Sequence, residues 1–76
     1  MEIKEFVQNF AEQFDETELD VFTPETRFRE LEEWSSFLAL GIMAMIKSEY
    51  DVAITAEEMR SANTIQELFD TVKKYL

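Results

Sequence analysis

Residues 35–50 read SSFLALGIMAMIKSEY and decide how the rest of the chain is interpreted. Two serines are followed by an apolar run whose first charged residue is Lys47. The run is predicted to form a helix over 36–50, because a set of its apolar residues recurs at helical spacing. The face predicted to lie in the core carries Ala39, Ile42, Met43, Ile46 and Tyr50.

The opposite face of this helix is also apolar, which is unusual for a helix exposed to water. It carries Phe37, Leu40, Gly41 and Ala44. A glycine inside a helix costs about 1 kcal/mol relative to alanine. Either another group approaches Gly41 closely, or the helix tolerates it.

Upstream, residues 2–14 are predicted to form a first helix, with its apolar stripe at Ile3, Phe6, Val7, Phe10 and Phe14. Residues 15–35 show no sustained period and are predicted to be a long loop. The loop is expected to be anchored on the core by Val21, Phe22, Phe28, Leu31 and Trp34. Thr23 and Pro24 predict a single helical turn over 24–31, because proline suits the first helical position.

Downstream, DVAI at 51–54 is predicted to be an extended connection. Thr55 and Glu58 form a capping-box pattern that starts a short third helix ending near Arg60, and the pattern recurs at Thr64 for a fourth helix. The apolar stripe of that last helix is Ile65, Leu68, Phe69, Val72 and Tyr75 or Leu76. The chain is therefore predicted to be one all-α domain over 1–76, a four-helix bundle with three longer helices, one short helix and a long first loop.

Charge and composition restrict the function. The chain has 17 acidic and 7 basic residues, a net charge of −10. Such a charge disfavours binding to nucleic acid and anionic membranes and favours basic partner surfaces, although it also serves solubility. The chain contains neither cysteine nor histidine, so no disulfide and no Cys/His metal site is expected. The protein is expected to be cytoplasmic and monomeric. Weak self-association through the exposed apolar face of the helix over 36–50 is the alternative.

The serine pair is not expected to be catalytic. A nucleophilic serine requires a base within hydrogen-bond reach, and Lys47 lies about three turns along the same helix and faces away. Serine is among the best N-cap residues, so one of the two is expected to cap the helix. If Ser35 is the cap, Ser36 takes the first helical position with a free hydroxyl, where a helix start favours an attached phosphate.

The order of these elements resembles the acyl carrier protein family. That family has a helix, a long acidic loop, a serine at the start of helix two, a short helix three and a helix four. Three stretches of this chain follow the family's course: TPETRFRELEEW in the loop, SSFLALGIMAMIKSEY from the serine, and DVAITAEEMRSANTIQELFDTV downstream. The resemblance covers nearly the whole chain, and its specificity lies in the order and spacing of short motifs.

The resemblance implies that Ser36, with Ser35 less favoured, carries covalent 4′-phosphopantetheine. The chain would then hold an acyl or aminoacyl group as a thioester, for a specialised pathway of fatty acid, polyketide or peptide biosynthesis; a peptidyl or D-alanyl carrier would look the same. Met43, Met45 and Met59 are deformable enough to shelter a guest. The implied partners are a phosphopantetheinyl transferase and the enzymes that load and accept the acyl group.

The chain departs from the family pattern at three places. Ser35 replaces the motif's aspartate, and Glu33 stands at a common glycine position. Helix two has uncharged or basic residues (Leu38, Gly41, Lys47 and Ser48) where the family usually has acids. A more hydrophobic partner-binding surface is therefore expected, formed by Phe37, Leu38, Leu40, Gly41 and Ala44. The alternatives are a helix face repacked against the loop, and an unmodified carrier-like module that binds a partner through the apolar face without the arm.

Overall fold

The first helix, α1, spans Ile3–Ala11 in the computed structural model, which describes residues 2–76. Its inner face buries Phe6, Phe10 and Ala11. The helix is shorter than predicted, because after Ala11 the backbone changes to tighter three-residue turns, in which the Phe14 N–H donates to the Ala11 carbonyl at 3.0 Å. These turns still bring Phe14 into the core.

The long segment after α1 contains two single-turn 3₁₀ helices, Leu19–Val21 and Phe28–Glu30. The predicted turn over 24–31 is wrong in extent. The hydroxyl of Thr26 accepts from the Thr23 N–H and donates to the Val21 carbonyl, both at 2.8 Å, and so closes a tight turn around Pro24.

Four of the five predicted loop anchors contact the core. Phe22 and Phe28 are buried, while Leu31 and Trp34 are half-buried against the core. Val21 is exposed, so its prediction is wrong. The same loop also binds the start of the last helix, because the Pro24 and Thr26 carbonyls accept the N–H groups of residues 66 and 65 at 2.8 and 3.2 Å. Those N–H groups have no acceptor within their own helix.

The second helix, α2, spans Ser36–Tyr50 as predicted. Of its predicted core face, Ile42 and Ile46 are fully buried, and Ala39, Met43 and Tyr50 are half-buried. Met45 is buried as well, although the helical wheel did not place it there. The helix ends at Asp51 in the left-handed conformation, φ 56°, with the Lys47 ammonium 2.9 Å from its carboxylate.

Two further helices follow: the short α3 at Ala56–Ser61 and α4 at Ile65–Lys73. The capping box of Thr55 and Glu58 is confirmed in both directions. At α4 only one of the two capping-box hydrogen bonds forms, that from the Glu67 N–H to the Thr64 hydroxyl. The Glu67 carboxylate accepts from the Asn63 N–H at 2.7 Å and not from the Thr64 N–H. The connection before α3 buries Val52 and Ile54.

The α4 stripe buries Ile65, Leu68, Phe69 and Val72, as predicted. Its predicted last member is wrong, since Tyr75 and Leu76 are both exposed. The Tyr75 hydroxyl donates to both Glu58 oxygens at 2.7 Å, and this bond to a carboxylate raises the pKa of the tyrosine. The end of the chain is therefore attached to α3 by a surface hydrogen bond.

The core is built mainly from aromatic rings. Six of the seven phenylalanines are buried, and Phe28 lies between Phe10 and Trp34 with ring centroids 5.3 and 4.9 Å away. Tilted rings at these separations are favourable beyond the area they bury. The described residues form an all-helical bundle of three longer helices and one short one, as predicted. None of the helices within residues 2–76 has both the length and the apolar character that a bilayer crossing requires.

Candidate functional site

The two serines have different positions and roles at the start of α2. Ser35 is the N-cap residue, and its hydroxyl accepts the Leu38 N–H at 3.2 Å. Ser36 occupies the first helical position and is exposed. Within residues 2–76 its hydroxyl has no hydrogen-bond partner, and neither have the backbone N–H groups of Ser36 and Phe37. The free hydroxyl therefore stands at the positively polarised end of a helix.

Ser36 borders an open groove of about 390 Å³ between α2, α3 and the end of the long loop. The lining side chains are mainly apolar and come from all three parts of the chain. They belong to Arg29, Trp34, Ser36, Ala39, Leu40, Met43, Ala56, Met59 and Arg60. Two of the three methionines predicted to shelter a guest therefore line this groove, while Met45 lies in the core.

The groove carries positive charge in a strongly acidic chain. Its charged lining residues are Arg29 and Arg60, and no carboxylate of the described residues is among its lining groups. The groove is therefore lined by positive charge, although the chain as a whole has a net charge of −10.

Arg29 has a fixed position in the groove. Its guanidinium donates to the Met59 carbonyl at 3.1 Å, to the Ala62 carbonyl, and to the Asn63 side-chain oxygen at 2.9 Å. The planar fork of donors suits several acceptors at once. Arg29 thereby connects the long loop to the end of α3 and to the junction between α3 and α4.

Glu33 organises the loop on the other side of the serines. Its carboxylate accepts from the N–H groups of Asp15, Glu16 and Thr17 at 2.8, 3.1 and 2.9 Å, and from the Thr17 hydroxyl at 2.8 Å. These bonds, led by that from Asp15, hold the pKa of Glu33 below its ordinary value. The sequence pointed to Glu33 only as a departure from a glycine that is common in the family. Its carboxylate is instead the acceptor that holds the start of the long loop, residues 15–17, next to the segment that precedes the serine pair.

The exposed face of α2 differs in part from its predicted surface. Phe37 and Leu40 are 81% and 65% exposed, and Ala44 is also exposed. Leu38 is half-buried against the core, so repacking explains that residue but not Phe37 or Leu40. Gly41 is half-buried, and a Cβ there would meet only the Gln13 side-chain oxygen at 3.8 Å, an ordinary contact. The helix simply tolerates this glycine.

The structure is thus a short helical bundle with an exposed serine at a helix start, beside a mainly apolar groove. The family model described as phosphopantetheine attachment site matches residues 4–72, and the chain belongs to this family, the acyl carrier protein family domain. Comparisons with curated proteins and with solved structures gave no significant match.

The domain is an attachment site for covalent 4′-phosphopantetheine and a carrier, not an enzyme. Such domains work with a phosphopantetheinyl transferase and with acyl-handling enzymes. The structure fits the group: an exposed hydroxyl without a hydrogen-bond partner within residues 2–76 lies beside unpaired backbone N–H donors and a groove with two arginines. The group itself supplies the thiol that holds the cargo.

Proposed function

We propose that the chain carries an acyl group on a phosphopantetheine arm attached to Ser36. The observation that carries this assignment is the exposed Ser36 hydroxyl, which borders the groove and has no hydrogen-bond partner within residues 2–76. Ser35 is less suited, because its hydroxyl already accepts the Leu38 N–H as the helix cap. Modification there would compete with a contact worth about 1 kcal/mol to the helix.

The charge of the groove supports an acyl cargo over an aminoacyl cargo. An aminoacyl group brings an ammonium ion, which Arg29 and Arg60 would repel and which no lining carboxylate would balance. An apolar chain would instead cover Trp34, Met43 and Met59 and release water from them. We infer a neutral or anionic acyl group as the cargo.

The partner enzymes are proposed to contact an apolar surface around Ser36, consisting of Phe37, Leu40 and Ala44 with Gly41 and Leu38 at its edge. An enzyme that acts on Ser36 or on the arm has to approach the first turns of α2, where Phe37 is the most exposed large apolar side chain. No charged residue of α2 precedes Lys47, which is already paired with Asp51. We therefore propose that the partner enzyme contacts α2 through an apolar surface. A basic partner surface would be expected only if the exposed face of α2 were acidic.

This surface supports a role in a specialised biosynthetic pathway with a dedicated partner, in place of bulk fatty acid synthesis. A cytoplasmic location agrees with the cysteine-free sequence. A monomer is proposed, since the partner enzyme and not a second copy would cover the apolar surface.

The attachment is tested by intact mass after co-expression with an active phosphopantetheinyl transferase. Wild type and Ser35→Ala should each gain one phosphopantetheine, while Ser36→Ala should gain none. Ser35→Ala should lose about 1 kcal/mol of stability through its lost cap, and Ser36→Ala almost none, so misfolding cannot explain the result. A wild type that is never modified would support the unmodified interaction module instead.

The cargo class is tested by attaching octanoyl or alanyl forms of the arm to the same protein. Backbone amide resonances of Ala39, Met43 and Met59 should shift on octanoyl attachment and change little with the alanyl form. Larger shifts with the alanyl form would contradict the acyl assignment.

A further inference from the structure

We propose that the Arg60 guanidinium binds the phosphodiester of the arm attached at Ser36 and so holds the arm along the groove between α2 and α3. The inference rests on the proposed attachment at Ser36. It assigns to Arg60 a positioning role for the arm, separate from the apolar lining that would contact the cargo.

The first support is the placement of the two residues. Ser36 lies on the α2 wall of the groove and Arg60 on the α3 wall, and both side chains line the same cavity. A phosphate on the Ser36 oxygen would therefore enter a space that Arg60 already borders.

The second support is that Arg60 is the arginine left free to move. Arg29 donates to three acceptors at the α3–α4 junction, and Arg27 lies 4.0 Å from Glu30. Arg60 is exposed and, within residues 2–76, has neither an ion pair nor a hydrogen bond from its side chain. Two acids precede Arg60 on α3, Glu57 by three residues and Glu58 by two, and neither forms an ion pair with it.

The third support is chemical. A guanidinium presents two parallel donors to two phosphate oxygens, a geometry that a lysine cannot reproduce. A phosphodiester adds one more negative charge to a chain of −10, so a nearby unpaired cation offsets a repulsion that attachment would otherwise increase. The groove wall around Arg60 is apolar, which favours a weakly hydrated guanidinium over bulk water as the phosphate's partner.

The test is a thermodynamic cycle that combines two changes, attachment of the arm and substitution of Arg60. Intact mass confirms in each sample whether the arm is attached. The melting temperature Tm is measured for unmodified and modified forms of wild type and Arg60→Gln, at low salt and at 1 M NaCl. At low salt the change in Tm on modification should be lower in Arg60→Gln than in wild type, by about 1–5 °C, as expected for one exposed ion pair in a small domain. In 1 M salt this difference should largely disappear.

Arg27→Gln is the matched control, because it removes the same charge from an exposed arginine that does not line the groove. Its change in Tm on modification should equal that of wild type. The ³¹P resonance of the modified protein supplies a second readout: Arg60→Gln should shift it and Arg27→Gln should not.

Equal changes in Tm in wild type and Arg60→Gln, with an unmoved ³¹P resonance, would overturn the role of Arg60 alone. A wild type that gains no mass from the transferase would instead refute the proposed attachment, and the role of Arg60 with it. The two failures are therefore distinguishable.

Discussion

The Thr17 hydroxyl donates to the Glu33 carboxylate at 2.8 Å and so joins the start of the long loop to its end, two residues before the cap of α2. Three backbone N–H groups of residues 15–17 donate to the same carboxylate. A charged acceptor with four donors stabilises the folded chain only while it is ionised.

Glu33→Gln should therefore lower Tm near neutral pH and have progressively less effect in acid. The pKa of Glu33 in the folded chain is below the ordinary 4.5, so its stabilisation is complete above that pH and is lost as pH falls through the lowered value. Thermal melts of both proteins from pH 7 to pH 2.5 check this. A difference in Tm that stays constant over the range would contradict it, and Glu32→Gln serves as the exposed neighbouring control.

Truncation of two phenylalanines should change the stability of the chain by very different amounts. Phe28→Ala removes a fully buried ring at the centre of the aromatic core and should reduce the free energy of unfolding by about 3–5 kcal/mol. Phe37→Ala removes an exposed ring and should change it by less than about 0.5 kcal/mol. Urea titrations measure both values, and a similar loss in the two variants would show that Phe37 is packed.

Gly41→Ala should stabilise the chain by up to about 1 kcal/mol and raise Tm by several degrees. The added methyl group would meet only one side-chain oxygen at 3.8 Å, so no clash offsets the gain in helix propensity. Ala44→Gly, at an exposed position one turn later, is the reverse control and should lower Tm by a similar amount. Destabilisation by Gly41→Ala would show that the site requires the absence of a side chain.

Leu40→Glu should impair modification by the transferase without unfolding the protein. The matched control is Leu19→Glu, since the two leucines are 65% and 69% exposed but only Leu40 lies near Ser36. We expect kcat/KM of the transferase to fall about tenfold for Leu40→Glu, the effect of losing one well-packed interface contact, and to stay within about twofold for Leu19→Glu. Equal effects of the two substitutions would show that the transferase does not contact α2 at Leu40.

The start and end of α2 could be predicted because their causes are local. A serine cap and a continuous apolar run lie within one stretch of sequence, and the cap assigns Ser35 and Ser36 their positions. The core faces of α1 and α4 were predicted for the same reason, since helical periodicity is read from neighbouring residues.

The groove and its charge could not be predicted in this way. Arg29 binds backbone carbonyls and an amide oxygen 30–34 residues away, and carbonyls leave no signature in the sequence. Glu33 binds backbone N–H groups 16–18 residues away, so its sequence context showed only another acid in an acidic loop. Val21 was misplaced because an apolar residue in a loop of this kind does not reveal which way its 3₁₀ turn faces.

Through its three hydrogen bonds, the Arg29 side chain connects the long loop to the α3 side of the groove. Since the α3 wall belongs to a helix of only six residues, a bulky guest would displace that wall most readily by first releasing the guanidinium from its three acceptors. We therefore expect a cargo too large for the present groove to require release of these hydrogen bonds before it can enter.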